Sequence, residues 1–138
     1  MRLFCDASAL AKRYVEETGS AELETLLESA SALGLSVITV TEVISALCRR
    51  QREGTLSDVQ YAVAKAALLA DVADADTVNV SEQVVSLAVD MLEGHSLRSA
   101  DALQLAGAQA WRAEMVVTSD RKQCAAARSI GLQVRLLG

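Results

Sequence analysis

The feature that narrows the fold most is an alternation. Short runs rich in apolar and β-branched residues are separated by longer stretches whose apolar residues recur at helical spacing. The short runs are "RLFC" at 2–5, "LSVITV" at 35–40, "TVNV" at 77–80, "MVVTS" at 115–119 and "QVRLL" at 133–137. Between them, Leu23, Leu26, Leu27 and Ala30 mark one helical face, and Val43, Ile44, Leu47 and Cys48 mark another within "TEVISALCRRQREG". Ser57 is the expected N-cap of a helix over 56–72, with Val59, Ala62, Val63, Ala66 and Leu69 turned inward. Ser81 precedes the stripe Val84, Val85, Ala88, Met91 and Leu92. Ser99 is the expected cap of the helix containing Asp101, and "RKQCAAARSI" ends at Gly131. Gly19, Gly34, Gly54, Gly94 and Gly131 read as breaks at element ends. Strands alternating with helices predict one α/β domain over residues 1–138, with a mostly parallel central sheet flanked by helices on both faces. In such a sheet, sites form beyond the carboxyl ends of the strands.

Composition removes several function classes. The apolar runs are short and broken by charge, so no membrane span is expected. "MRLFCDASAL" holds Asp6 and lacks the apolar core of a signal peptide, which predicts a cytoplasmic protein. Cys5, Cys48 and Cys124 are scattered and show no zinc spacing, so they are expected to be reduced and buried. The single histidine, His95, follows Gly94 in a loop, which excludes a nuclease mechanism built on a histidine pair. Trp111 and two tyrosines are too few for a base-stacking platform, and Trp111 is expected in the core or a dimer interface. The net charge of −5 is not that of a generic nucleic-acid binder. Setting aside four acids of one site leaves 14 acids against 13 bases, so the total does not exclude a nucleic-acid substrate.

Four acids stand at the places where strands hand over to helices. Asp6 follows the first strand, Glu42 lies in the turn after the second, Asp101 is near a helix start, and Asp120 follows "MVVTS". In a parallel sheet these positions share one edge. Each alone suits a helix N-terminus, which favours an anion. Together they repel unless protonated or neutralised by a cation. An all-carboxylate set suits a hard divalent ion, Mg²⁺ or Mn²⁺. Small neighbours leave room for ions and water: Ala7 and Ser8, Ser45 and Ala46, Ala100 and Ala102. Ser8, Thr118 and Ser119 offer hydroxyls that can orient a carboxylate or a metal-bound water. With no nucleophile motif, phosphate loop or flavin fingerprint, such a site points to phosphodiester hydrolysis. Lys12, Arg13, Arg98, Arg121 and Lys122 lie beside the acids and are candidates for holding RNA phosphates. Arg49, Arg50 and Arg52 suit a helix C-terminus. Asp71, Asp74 and Asp76 in "ADVADAD" lack the Gly and Glu of a calcium loop and read as turn and cap acids.

At these residues the chain resembles PIN-domain ribonucleases, above all the VapC-type toxins of type II toxin–antitoxin pairs. The stretches are "LFCDASALAKRYVEETGS", "SVITVTEVISALCRR", "GHSLRSADALQLAGA" and "VVTSDRKQCAAARSIGLQV", in order across nearly the whole chain. The resemblance implies a single PIN-like domain with Mg²⁺- or Mn²⁺-dependent endoribonuclease activity. Asp6, Asp101 and Asp120 are then metal ligands, and Glu42 a ligand or the group that orients the attacking water. It further implies a homodimer and a cognate antitoxin protein that blocks the site. Two departures stand out: Ala7 where relatives often carry Ser or Thr, and Gln104 where many carry His. Neither is expected to touch the four acids.

Two rivals remain. One is a PIN-like binding module that has lost catalysis. The other is an aspartate-based phosphatase or receiver, with Asp6 as phosphate acceptor. Such phosphatases need a second Asp two residues on, where this chain has Ser8, and "QVRLLG" lacks the receiver lysine.

Overall fold

The computed structural model describes all 138 residues. In chain order the elements are β1 (Arg2–Cys5), α1 (Ala7–Leu10) running into a 3-10 turn (Ala11–Arg13), α2 (Ser20–Ser29) and β2 (Ala32–Ser36). There follow α3 (Thr39–Arg52), α4 (Asp58–Asp74), β3 (Asp76–Val78), α5 (Glu82–Gly94) and α6 (Ser99–Trp111). The chain closes with β4 (Met115–Thr118), α7 (Arg121–Ser129) and β5 (Val134–Leu136).

The five strands pair in the order β3-β2-β1-β4-β5, and every pair is parallel. β1 is central, so its side chains are buried on both faces. Leu3 and Cys5 join a core shared with α1, α2, α3 and α4, through Leu10, Leu23, Val43, Leu47 and Leu68. Phe4 points the other way, into a core with α5, α6 and α7 that includes Val84, Met91, Leu105 and Ala127. This is why "RLFC" reads as continuous apolar sequence rather than as an alternation. Leaving β1, the chain builds two strands to one side before returning to build β4 and β5 on the other. The crevice beyond the carboxyl ends of β1 and β4 is the point where that order reverses.

Five sequence expectations are corrected. The second strand covers 32–36, not 35–40. Ser36 pairs with Val78 and the Val37 N–H reaches the Val78 carbonyl at 2.9 Å; beyond that there is no partner strand. Val37 is exposed, Thr39 begins α3, and pairing overrides the β-branched propensity of "VITV". Gly34 is therefore inside a strand rather than at its end. It is required because the Trp111 ring lies over it: a Cβ there would come within 2.7 Å of the ring.

The inward stripe of α4 is Tyr61, Ala64, Leu68 and Val72, while Val59 and Val63 are 74% and 66% exposed and Leu69 also faces outward. Alanines and leucines surround this helix, so apolar spacing alone does not set its phase. Its start is as expected, with Ser57 and Gln60 forming a reciprocal capping box. In α5, Val84, Ala88 and Met91 are buried but Val85 and Leu92 are exposed. Finally, Arg98 rather than Ser99 is the N-cap of α6, and Ser99 is its first helical residue.

Candidate active site

Asp6 emerges from the end of β1 and caps α1. One carboxylate oxygen accepts the Ala9 N–H at 2.9 Å and the Ser8 hydroxyl at 2.7 Å; the other accepts the Thr118 hydroxyl. The side chain is buried. Its carboxyl is raised to about 6: burial pushes it up, the hydrogen bonds from Thr118, Ala9 and Ser8 offset part of that, and the charge of Asp120 adds to the rise. Asp120, one residue beyond Ser119 at the end of β4, caps α7 by accepting the N–H groups of Lys122 at 2.8 Å and Gln123 at 3.1 Å. Its own N–H donates to the Thr118 Oγ1 at 3.0 Å. Thr118 thus ties Asp6 to Asp120. Across the same edge, the Ser119 N–H donates to Ser8 Oγ at 2.9 Å. Ser119 Oγ is the one buried side-chain polar atom without a partner.

Asp101 lies in the first turn of α6 and is nearly enclosed. Arg98 grips its carboxylate with two donors, Nε to Oδ2 at 3.1 Å and Nη2 to Oδ1 at 3.3 Å. Glu42 lies in the first turn of α3, half-buried. Its Oε1 accepts Gln104 Nε2 at 2.7 Å, and the same amide donates to Thr39 Oγ1 at 3.0 Å. The expectation that Gln104 leaves the acids untouched is therefore corrected. One helical turn below Asp101, Gln104 reaches across to α3.

The four acids thus share the carboxyl edge of the sheet; Asp6 is buried beneath it, and the other three line two hollows. One, of about 350 Å³, is lined by Ala7, Ser8, Glu42 and Arg49 among others; the second, of about 430 Å³, by Asp101, Asp120, Arg121 and Lys122. Arg98 lines both. A more apolar hollow of about 420 Å³ between Tyr14 and α4 lies away from the acids.

The cations divide. Arg121 and Lys122 line the Asp101–Asp120 hollow and form no ion pair. Lys12 is drawn to Glu17 at 3.0 Å and the Thr18 carbonyl at 2.7 Å, and Arg13 to Asp71 at 3.1 Å. Neither lines the acidic hollows. Arg49, read from sequence as a helix-end charge, does line one. Asp71 lies inside α4 rather than in a turn, and accepts the Tyr14 hydroxyl at 2.7 Å.

Gln123 escaped sequence reasoning, and Gln104 was noticed without its role. Gln123 is buried and its Nε2 donates to the Asp101 carbonyl at 3.0 Å, so α7 braces α6 beside the site. The available signal was a lone amide on the apolar face of a helix, since such a group is buried only with partners.

The arrangement can gather negative charge and release it only to a cation. Its donor set, carboxylates and hydroxyls, has the chemistry a hard divalent ion takes. Asp6 and Asp120 are linked through Thr118, and the charge of Asp120 raises the Asp6 carboxyl. As the side chains stand, however, no three acids converge to hold an ion. Asp101 is held by Arg98.

A parallel α/β domain with four acids at its strand ends is the class that fold and site define. Residues 3–129 match the family model of the PIN domain, and the chain belongs to that family. Solved structures agree on the fold. VapC20 of Mycobacterium tuberculosis, a sarcin–ricin-loop-cleaving toxin, superposes with a TM-score of 0.70 at 18% identity, covering 90% of this chain and 94% of that one. VapBC2 of Rickettsia felis, bound to a promoter DNA fragment, gives 0.69 at 15% identity over 99% and 98%. A toxin–antitoxin complex from Klebsiella pneumoniae gives 0.66 at 21% identity over 91% of each chain. No curated protein matches in sequence. No helix is long and apolar enough to cross a membrane.

Proposed function

We propose that the protein is a Mg²⁺- or Mn²⁺-dependent endoribonuclease and the toxin of a toxin–antitoxin pair. The observation that carries this reading is the buried Asp6 carboxyl. It is raised to about 6, chiefly by burial, tied through Thr118 to Asp120, and stands at the same strand-end edge of a PIN domain as the helix starts that carry Asp101 and Glu42. Helix capping accounts for Asp6 and Asp120 singly; acids gathered at one edge with a raised carboxyl are what a metal-dependent hydrolase uses.

Asp6, Asp120 and Asp101 would hold the ion. A bound divalent ion supplies positive charge for the phosphate oxygens and a water of lowered pKa. Glu42, anchored by Gln104, orients the attacking water. Thr118 and Ser8 fix the two oxygens of Asp6, and the free hydroxyl of Ser119 is available to water. Arg121 and Lys122 are the unpaired cations best placed to take RNA phosphates. Water forms a new P–O bond as the bond to the leaving ribose oxygen breaks; the water gives up a proton to a carboxylate or solvent, and the leaving oxygen takes one from solvent.

A cognate antitoxin partner is supported by the similar structures, several of which are toxin–antitoxin complexes. A homodimer is part of the same reading. The outward Val59 and Val63 of α4 and Val85, Val89 and Leu92 of α5 are apolar surface that partners can cover.

The test is induction of the wild type and of Asp6→Asn in a bacterial host, following growth and mapping new RNA 5′ ends. Arrest and discrete cuts with the wild type alone are expected. Equal effects from both proteins, or no new ends with a purified, Mn²⁺-supplied protein on total RNA, overturn the nuclease reading in favour of a binding module.

A further inference from the structure

We propose that Arg98 is a tethered counter-ion of the acidic cleft, which holds the Asp101 carboxylate in the metal-free protein and must release it before a divalent ion is fully bound. The inference rests on the reading of the cleft as a metal site.

Arg98 precedes α6 with an extended backbone and makes no capping bond, so its side chain is not needed to start the helix. Three residues on, Asp101 presents both oxygens, and the guanidinium takes one with each of two donors. That fork is the geometry in which arginine matches a carboxylate. It consumes the two oxygens an ion would use. The guanidinium also stands between the hollows, lining the one with Glu42 and the one with Asp120. No other cation pairs with any of the four acids: Arg49, Arg121 and Lys122 line the hollows without touching a carboxylate there.

The same geometry makes release easy. The Arg98 side chain is 78% exposed against 12% for Asp101, so the arm is held from one side only and can turn into solvent. Ion pairs with an exposed partner are weak. The acids remain where the backbone puts them: Asp101 is braced by Gln123, and Asp6 and Asp120 by Thr118. What Arg98 occupies is therefore the Asp101 carboxylate alone. An ion and Arg98 compete for a single ligand, and metal affinity is set by the difference.

Calorimetric titration of Mn²⁺ into purified wild type, Arg98→Ala, Arg98→Lys, Arg121→Ala and Asp6→Asn tests this. Arg121 lines the same hollow but is unpaired, so its variant removes equal charge without removing a competitor. Arg98→Ala is expected to bind Mn²⁺ about fivefold more tightly, the worth of an exposed ion pair. Arg98→Lys, which cannot fork, should fall between it and wild type. Arg121→Ala should stay within about twofold of wild type, as a screened charge. In the absence of metal, Arg98→Ala should melt at lower temperature than wild type, with a larger rise on adding Mn²⁺. Unchanged or weaker binding by Arg98→Ala, or equal gains in Arg98→Ala and Arg121→Ala, overturns the proposal while leaving the metal site intact. Binding that survives in Asp6→Asn, or is absent from every protein, overturns the metal reading itself and the proposal with it.

Discussion

Gln104 is the residue on which the geometry of Glu42 turns. It is buried, it donates to Glu42 and Thr39, and nothing else holds the Glu42 carboxylate. Gln104→Met keeps the volume and removes the donor. It should lower cleavage about tenfold, as loss of an orienting partner does, with RNA binding unchanged; assays of rate and of RNA affinity separate the two. Equal loss of both would make Gln104 merely structural. Asp6 carries a pH dependence. Its folded pKa of about 6 exceeds the ordinary 3.8, so the folded protein holds this proton more tightly than the unfolded chain. The resulting stability is full below the unfolded value and is lost as pH rises through the folded one. The loss is about 3 kcal/mol, order-of-magnitude. Metal-free Asp6→Asn should therefore exceed wild type in stability at pH 7, and the gain should vanish near pH 4. Urea unfolding at both values checks this, and a gain that persists at pH 4 would refute it.

Among the elements, β2 and α6 depend on one contact. The Trp111 ring lies on Gly34, stacks with the Arg2 guanidinium at 3.9 Å and meets Phe4 at 6.3 Å between ring centroids. Gly34→Ala forces the ring away, because the clash is with a packed aromatic side chain. A cost of about 1–3 kcal/mol is expected, read as a lowered denaturant midpoint; an unchanged midpoint would mean the ring moves freely. The same strand shows what was legible. "LSVITV" announced a strand and "TEVISALC" a helix, and both exist. Their boundary was not legible, because it depends on where β3 runs out of residues to pair. The phase of α4 was hidden for a related reason: an alanine-rich helix is apolar on several faces, and only neighbours choose one.

At the scale of the whole molecule, the parallel sheet turns four separate acids into one edge. Sedimentation tests the homodimer reading: a species of twice 14.6 kDa is expected, and one of 14.6 kDa overturns it. The sequence by itself determined the alternation of strands and helices, the single α/β domain and the carboxylates at strand ends. Those signals are local, written in periodicity and in the residue that follows each apolar run. Only the tertiary structure decided which cations face the acids, that Gln104 and Gln123 brace them, and that Arg98 occupies Asp101. Those are relations between side chains distant in sequence or free to rotate, and they exist only once the elements have packed.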